Sequence, residues 1–155
     1  VLAISGSYTF DKLTLELTID RTFWSAYEDL LIEYDSTPLN PVLAAAGGPH
    51  AKNWDDTNAY RLGVSYEMND ELTLMGGLAY DENPVPDDTV SFELPDSDAI
   101  LFSVGARYKI TESLEAGVAA LYDYKLEREV TNSRVDGEFT GTSAFLISAG
   151  LSYSF

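Results

Sequence analysis

An antiparallel transmembrane β-barrel of outer-membrane type is the fold class this sequence predicts, and three observations predict it. Seven segments alternate apolar and polar residues with period two, most of them are long, and the connections between them alternate between short turns and long loops. Alternation sustained over about eight residues marks a strand with one apolar face. Soluble strands cluster near about five or six residues, whereas a tilted strand crossing a bilayer needs about 9–11. Short turns on one rim and long loops on the other are the outer-membrane layout, with the short turns periplasmic.

The first strand covers residues 2–10, with Leu2, Ile4, Tyr8 and Phe10 opposite Ala3, Ser5, Ser7 and Thr9, and Asp11-Lys12 turns the chain. Leu13, Leu15, Leu17 and Ile19 then oppose Thr14, Glu16, Thr18 and Asp20, and apolar character runs on irregularly through Phe23, Trp24, Tyr27, Leu30 and Ile32 to Tyr34. No Gly, Pro or Asn interrupts residues 12–34, and a break near Ser25 would move the later long loops to the other rim, so these residues are read as one strand. A long loop, residues 35–56, holds Pro38, Pro41, Gly47, Gly48 and Pro49, with one helical turn expected at Val42-Leu-Ala-Ala-Ala46. Tyr60, Leu62, Val64 and Tyr66 mark the third strand, and Asn69-Asp70 is a strong turn pair. Leu72, Leu74, Leu78 and Tyr80 form the fourth, followed by a second long loop at 81–98 with Pro84, Pro86 and Pro95.

The clearest hairpin occupies residues 98–127. Ile100, Phe102, Val104, Ala106 and Tyr108 share one face with Leu114, Ala116, Val118, Ala120, Tyr122 and Tyr124. The other carries Leu101, Ser103, Gly105, Arg107, Lys109, Glu115, Gly117, Ala119, Asp123 and Lys125. Reflection through Thr111 sets Arg107 opposite Glu115 and Gly105 opposite Gly117, an opposite-charge pair of about 0.2–1 kcal/mol. A short polar loop near residues 131–137 precedes the last strand, which aligns Phe145, Ile147, Ala149, Leu151, Tyr153 and Phe155.

Composition narrows the function classes. The 155 residues carry 26 acidic and 9 basic side chains, one His and no Cys, for a formal net charge of −17. Nucleic-acid binding needs a basic footprint, so that class is excluded. Thiolate metal sites and disulfides are excluded as well, and no metal or other cofactor is expected. No run approaches the roughly 18 apolar residues of a membrane helix, which leaves barrel strands untouched because only every second residue meets lipid. The chain opens at Val1 without Met or a charged-then-apolar leader, as a mature or truncated product would.

Tyr8, Phe10, Tyr66, Tyr108, Tyr153 and Phe155 fall near the short-turn rim, and Phe23, Tyr60, Tyr80 and Tyr122 near the other, as two aromatic girdles. A soluble lipocalin-type barrel alternates equally well with its apolar face inward, but rim asymmetry, girdles and the terminal Phe155 favour the membrane. Closed single-chain bacterial barrels have even strand numbers. Seven strands leave unpaired edges at residues 2–10 and 143–155, and each unbonded backbone group in lipid costs several kcal/mol. Completion by a missing N-terminal segment or by another chain, a second copy included, is therefore expected.

The loop Asn83-Pro-Val-Pro86 followed by Pro95-Asp-Ser-Asp98 before a Ser-Val-Gly strand resembles the outer-membrane long-chain fatty-acid transporter family (FadL type). Phe23-Trp24-Ser25, Asn53-Trp54-Asp-Asp-Thr57, Arg61-Leu-Gly63 and the aromatic terminus extend the resemblance over nearly the whole chain, as the C-terminal part of the family's sequence. The resemblance implies a fourteen-stranded barrel with an N-terminal hatch, of which these strands are half, in the bacterial outer membrane with the C-terminus periplasmic. The hatch and the family's kinked strand have no counterpart in these residues, and Ala99 stands where the family often has a basic residue. Passive uptake of long-chain fatty acids or other hydrophobic molecules is the function implied. A structural or surface-binding barrel without transport is the alternative.

Candidate site residues follow. His50, Lys52 and Trp54 set loop cations beside an aromatic, suited to a fatty carboxylate whose tail lies on apolar side chains. The resemblance places a ligand-binding basic residue just before this strand, and His50 or Lys52 falls closest to it. Glu16, Asp20, Arg61, Arg107 and Glu115 on the polar face read as a lumen ion network. Glycines 63, 77, 105, 117 and 150 leave room there. No Gly-x-Ser-x-Gly elbow accompanies His50, so the chain is not expected to be an enzyme. The acidic loop residues Asp35, Asp55, Asp56, Asp81, Glu82, Asp87 and Asp88 read as solvated charge rather than a Ca²⁺ site. The ligand and the surrounding outer-membrane lipid are the expected partners.

Overall fold

The computed structural model describes all residues except 37–38, 42–43, 45–46 and 93–94. Its strands are β1 (Leu2–Phe10), β2 (Leu13–Thr22), β3 (Asp29–Ile32), β4 (Gly48–Ala51), β5 (Thr57–Glu67), β6 (Leu72–Asp81), β7 (Ala99–Lys109), β8 (Leu114–Lys125), β9 (Arg128–Thr131), β10 (Asp136–Phe139) and β11 (Ser143–Tyr153). Seven of them, 9 to 12 residues long, make one antiparallel sheet in the order β1-β2-β5-β6-β7-β8-β11. Every long strand thus pairs with its neighbour in sequence, as the hairpin reading requires. β1 and β11 each have one partner in this sheet.

Register carries the alternation across the sheet in rows. Leu17, Leu62, Leu78, Phe102, Tyr122 and Phe145 form one row, each directly paired with the next. Leu15, Val64, Gly76, Val104, Ala120 and Ile147 form the row below. This apolar face is the exposed one: Phe102 is 51%, Val104 66% and Ile147 74% accessible. The buried apolar residues Ala59, Val85, Val90, Ala99, Val130 and Val135 sit instead at the long-loop rim or in its loops. A soluble barrel would bury the apolar rows; here they are exposed, as on the outer face of a membrane barrel.

The short turns are built from their own side chains. Asp11 takes a left-handed φ of 52°, which Asp tolerates. Asn69 Oδ1 accepts the amides of Glu71 and Leu72 at 3.0 and 2.7 Å. Thr111 Oγ1 accepts those of Ser113 and Leu114 at 3.2 and 3.0 Å.

Four expectations change. The strand read over residues 12–34 ends at Thr22, which pairs with Thr57. A 3₁₀ turn at Trp24–Ala26 follows, fixed where Ser25 N donates to Asp56 Oδ1 at 3.0 Å. Asp29–Ile32 then pairs with Gly48–Ala51 in a hairpin outside the main sheet, so the loop read at 35–56 contains a strand. The polar loop at 131–137 is likewise the tip of the hairpin β9–β10. In the β7–β8 hairpin the pairs are Arg107 with Gly117 and Gly105 with Ala119, not Arg107 with Glu115 and Gly105 with Gly117. The Thr111 turn centres one residue later than assumed, and a two-residue shift of register preserves both faces. The helical turn expected at 42–46 falls largely outside the described residues.

The five glycines read as interior all lie on the polar face. Gly63 pairs directly with Gly77, and Gly117 with Gly150. At Gly77 the approach is close: a Cβ there would lie 2.6 Å from Ser103 Oγ, so the serine hydroxyl would have to turn away.

The two faces predict opposite tolerance of charge. Val104→Arg, mid-strand on the apolar face, should cost about 2–4 kcal/mol. Ser103→Arg, one residue away on the polar face, should cost clearly less. Equilibrium refolding into lipid vesicles measures both, and equal costs would mean that lipid does not cover the Val104 face.

Candidate functional site

The long-loop rim is a small folded unit. Leaving β4, Lys52 N and Asn53 N both donate to Glu28 O, at 2.8 and 3.3 Å. Asn53 adopts a left-handed φ of 48°, tolerated by Asn, as the chain runs on from Lys52 to Trp54. The Trp54 ring meets Trp24 and Tyr27 edge-on at 5.2 and 5.1 Å. It also packs against the buried cluster Val85, Val90, Val130 and Val135, with Phe139 alongside. Residues from three connections therefore share one apolar nucleus.

The second long loop is held by the residues of its own motif. Asn83 Oδ1 accepts Val85 N at 3.0 Å, and Asn83 Nδ2 donates to Val85 O at 3.1 Å. Asp98 closes the loop: its carboxylate accepts Asn83 N at 2.8 Å and the Tyr80 hydroxyl at 2.5 Å. Pro84, Pro86 and Pro95 limit the alternatives by fixing φ. The loop meets the first connection where Asp55 N donates to Pro84 O at 2.8 Å and Thr89 Oγ1 to Lys52 O at 2.6 Å.

Four cations of this rim are each matched by a carboxylate. Arg21 pairs with Asp56, Arg61 with Asp20, Lys125 with Asp96 and Arg128 with Asp87. Ser25 hydrogen bonds, aided by Arg21, hold the Asp56 carboxyl below its ordinary value of 3.8, so its charge, and with it this contact, persists until the solution is acidified below that range. Lys52 differs: it is 2% exposed, and among the described residues no carboxylate lies within ion-pairing distance of its ammonium. Trp54 Nε1 is buried without a hydrogen-bond partner beside it in sequence.

Of the residues singled out from sequence, Lys52 and Trp54 are drawn into this one unit, while His50 lies in β4 opposite Leu30, half-buried. The polar-face set is brought together only in part. Asp20 and Arg61 form an ion pair and line a cavity of about 340 Å³ with Asp81, Asp96 and Lys125. Arg107 and Glu115 meet diagonally at 3.8 Å near the short-turn rim. Glu16 forms no ion pair among the described residues and lines a separate hollow of about 300 Å³ beside Gly63 and Gly77.

Sequence reasoning missed Arg128, Asn132, Thr89 and Tyr27. Each acts through a contact 27 or more residues away in the chain, which period and composition do not register. The Asn83 and Asp98 motif was the available signal that this loop is constrained.

No group of three or more His, Asp or Glu residues among the described ones is placed to hold a metal ion. The chain resembles a Pseudomonas aeruginosa FadL homologue of known crystal structure, with a TM-score of 0.79 over 97% of this chain and 34% of that one; at 21% identity this shows the fold alone. It is 29% identical over 153 residues to the long-chain fatty acid transport protein of Escherichia coli K12, covering 98% of this chain and 32% of the relative. It is 29% identical over 151 residues to alkane uptake protein A of Marinobacter nauticus, covering 92% of this chain and 32% of the relative. The chain thus spans about a third of the length of these curated relatives. The family described as outer membrane protein transport protein (OMPP1/FadL/TodX) matches residues 3–155. With its seven-stranded antiparallel sheet and lipid-facing apolar rows, the chain belongs to this family of outer-membrane transport proteins.

Proposed function

We propose that this chain is the C-terminal portion of a barrel that takes up long-chain fatty acids, or other hydrophobic molecules, passively across the bacterial outer membrane, with Lys52 holding the carboxylate. The observation that carries the reading is the burial of Lys52 with no carboxylate partner among the described residues, on a rim where Arg21, Arg61, Lys125 and Arg128 are each paired. Enclosing an unpaired ammonium costs several kcal/mol, which a bound carboxylate offsets. Trp54 and the neighbouring Val85 and Val90 supply the apolar surface for the first carbons of the tail, with His50 at the entrance. Beyond them, Glu16, Asp20, Arg61, Arg107 and Glu115 form a polar lumen network, and the paired glycines keep that wall thin. Relatives named for fatty-acid transport and for alkane uptake both support a hydrophobic cargo.

The orientation that fits has the short turns and Phe155 on the periplasmic side, because short periplasmic turns are the rule for such barrels. The single-sided pairing of β1 and β11 supports completion by further strands, from a preceding segment or another chain. Native mass spectrometry from detergent tests this, and a stable, folded 17.0 kDa monomer would overturn it.

Uptake of labelled oleate into liposomes holding the full-length protein should exceed uptake into empty liposomes. No excess from an assembly shown to be folded would favour a purely structural or surface-binding barrel. Lys52→Gln should weaken oleate binding about tenfold, the scale of one charge-assisted hydrogen bond. Titration of tryptophan fluorescence reads that affinity, and an unchanged value would remove Lys52 from the site.

A further inference from the structure

We propose that Arg128 is a positioning residue for the carboxylate site: from the hairpin β9–β10 it clamps Val85, Asp87 and Asp96 so that Thr89, between them in sequence, stays seated on Lys52. The inference rests on the reading of Lys52 given above. Arg128 opens β9, and its side chain is 11% exposed. Its Nη1 donates to Asp96 O at 2.5 Å and its Nη2 to Val85 O at 2.6 Å. Nε and Nη2 both donate to Asp87 Oδ1, at 3.1 and 2.6 Å. One planar fork therefore ties three points of a single loop, two of them backbone carbonyls that flank Thr89 in sequence.

Thr89 is the residue that reaches Lys52, through its hydroxyl bond to Lys52 O. The same hairpin fastens the loop a second time, where Asn132 Nδ2 donates to Asp87 O and Val90 O at 2.7 and 3.1 Å. The guanidinium charge is already answered by Asp87, and four of its five N–H bonds face the loop. Arg128 is thus no rival for the ligand carboxylate and acts on it only through the loop. Lysine offers a point charge in place of the fork, so it reproduces the Asp87 pair without reaching both carbonyls.

The contrast between a charged ligand and a neutral one of equal length tests this. In the full-length protein in detergent, Arg128→Gln and Arg128→Lys should each weaken oleate about tenfold, while oleyl alcohol affinity changes less than twofold. In a Lys52→Gln background Arg128→Gln should add little further loss, as expected for residues acting as one unit. Equal losses for oleate and oleyl alcohol would mean a general collapse of the rim and would overturn the proposal, as would no loss of either. If Lys52→Gln leaves oleate affinity unchanged, the carboxylate site itself falls, and this inference with it. If Lys52→Gln weakens oleate while Arg128→Gln does not, only the role of Arg128 is lost. Should Arg128→Gln fail to fold, Asp87→Asn, which removes just the charge partner, reads the same oleate-against-alcohol difference and decides in the same way.

Discussion

Backbone hydrogen bonding in a medium without water is the constraint on which this structure depends. Each amide inside the hydrocarbon layer must find a partner in a neighbouring strand, so the strands are long, antiparallel and paired in sequence order. Once pairing is continuous, register is set by the side chains: a one-residue slip anywhere would carry Phe102, Val104 or Leu78 from the lipid face to the lumen. The same constraint explains the turns. Asn69 and Thr111 spend their side chains on the amides that the strands leave behind at the short-turn rim.

Lipid takes over the role of a core for the sheet, and the packed interior moves to the loops. Val85, Val90, Val130 and Val135 come from two connections and Trp54 from a third, and together they form the apolar cluster of the rim. These loops stand in water, where burying apolar surface stabilises them in a way it cannot between lipid and sheet. Polar ties at Asp98, Arg128 and Asn132 then select one arrangement of that cluster. Acidic side chains on the rim answer Arg21, Arg61, Lys125 and Arg128, which is why a buried lysine left outside the pairing stands apart chemically.

The lumen side follows a different logic from the rim. Opposed charges meet in pairs at Asp20 with Arg61 and at Arg107 with Glu115, while glycines face each other across strands between them. At Gly77 a Cβ would meet the Ser103 hydroxyl at 2.6 Å, so that face is closely packed there.

Period-two alternation, strand length and the order of short and long connections were enough to determine the architecture from the sequence alone: seven sheet strands, their neighbours and the face each residue takes. These features are local, because a strand's faces depend on residues two apart. The end of β2 at Thr22 was not legible in that way. Residues 23–34 keep an apolar character, and only the distant Asp56 and the partner strand at Gly48–Ala51 draw them out of the sheet. Register in the β7–β8 hairpin likewise turned on how Thr111 caps its turn, which residue types alone left open by one position. At the site, sequence marked His50, Lys52 and Trp54 by type and position. That Lys52 is buried, with its carbonyl bonded by a loop pinned from another hairpin, is a matter of contacts spanning 37 to 43 residues, and only the tertiary structure brings such partners together.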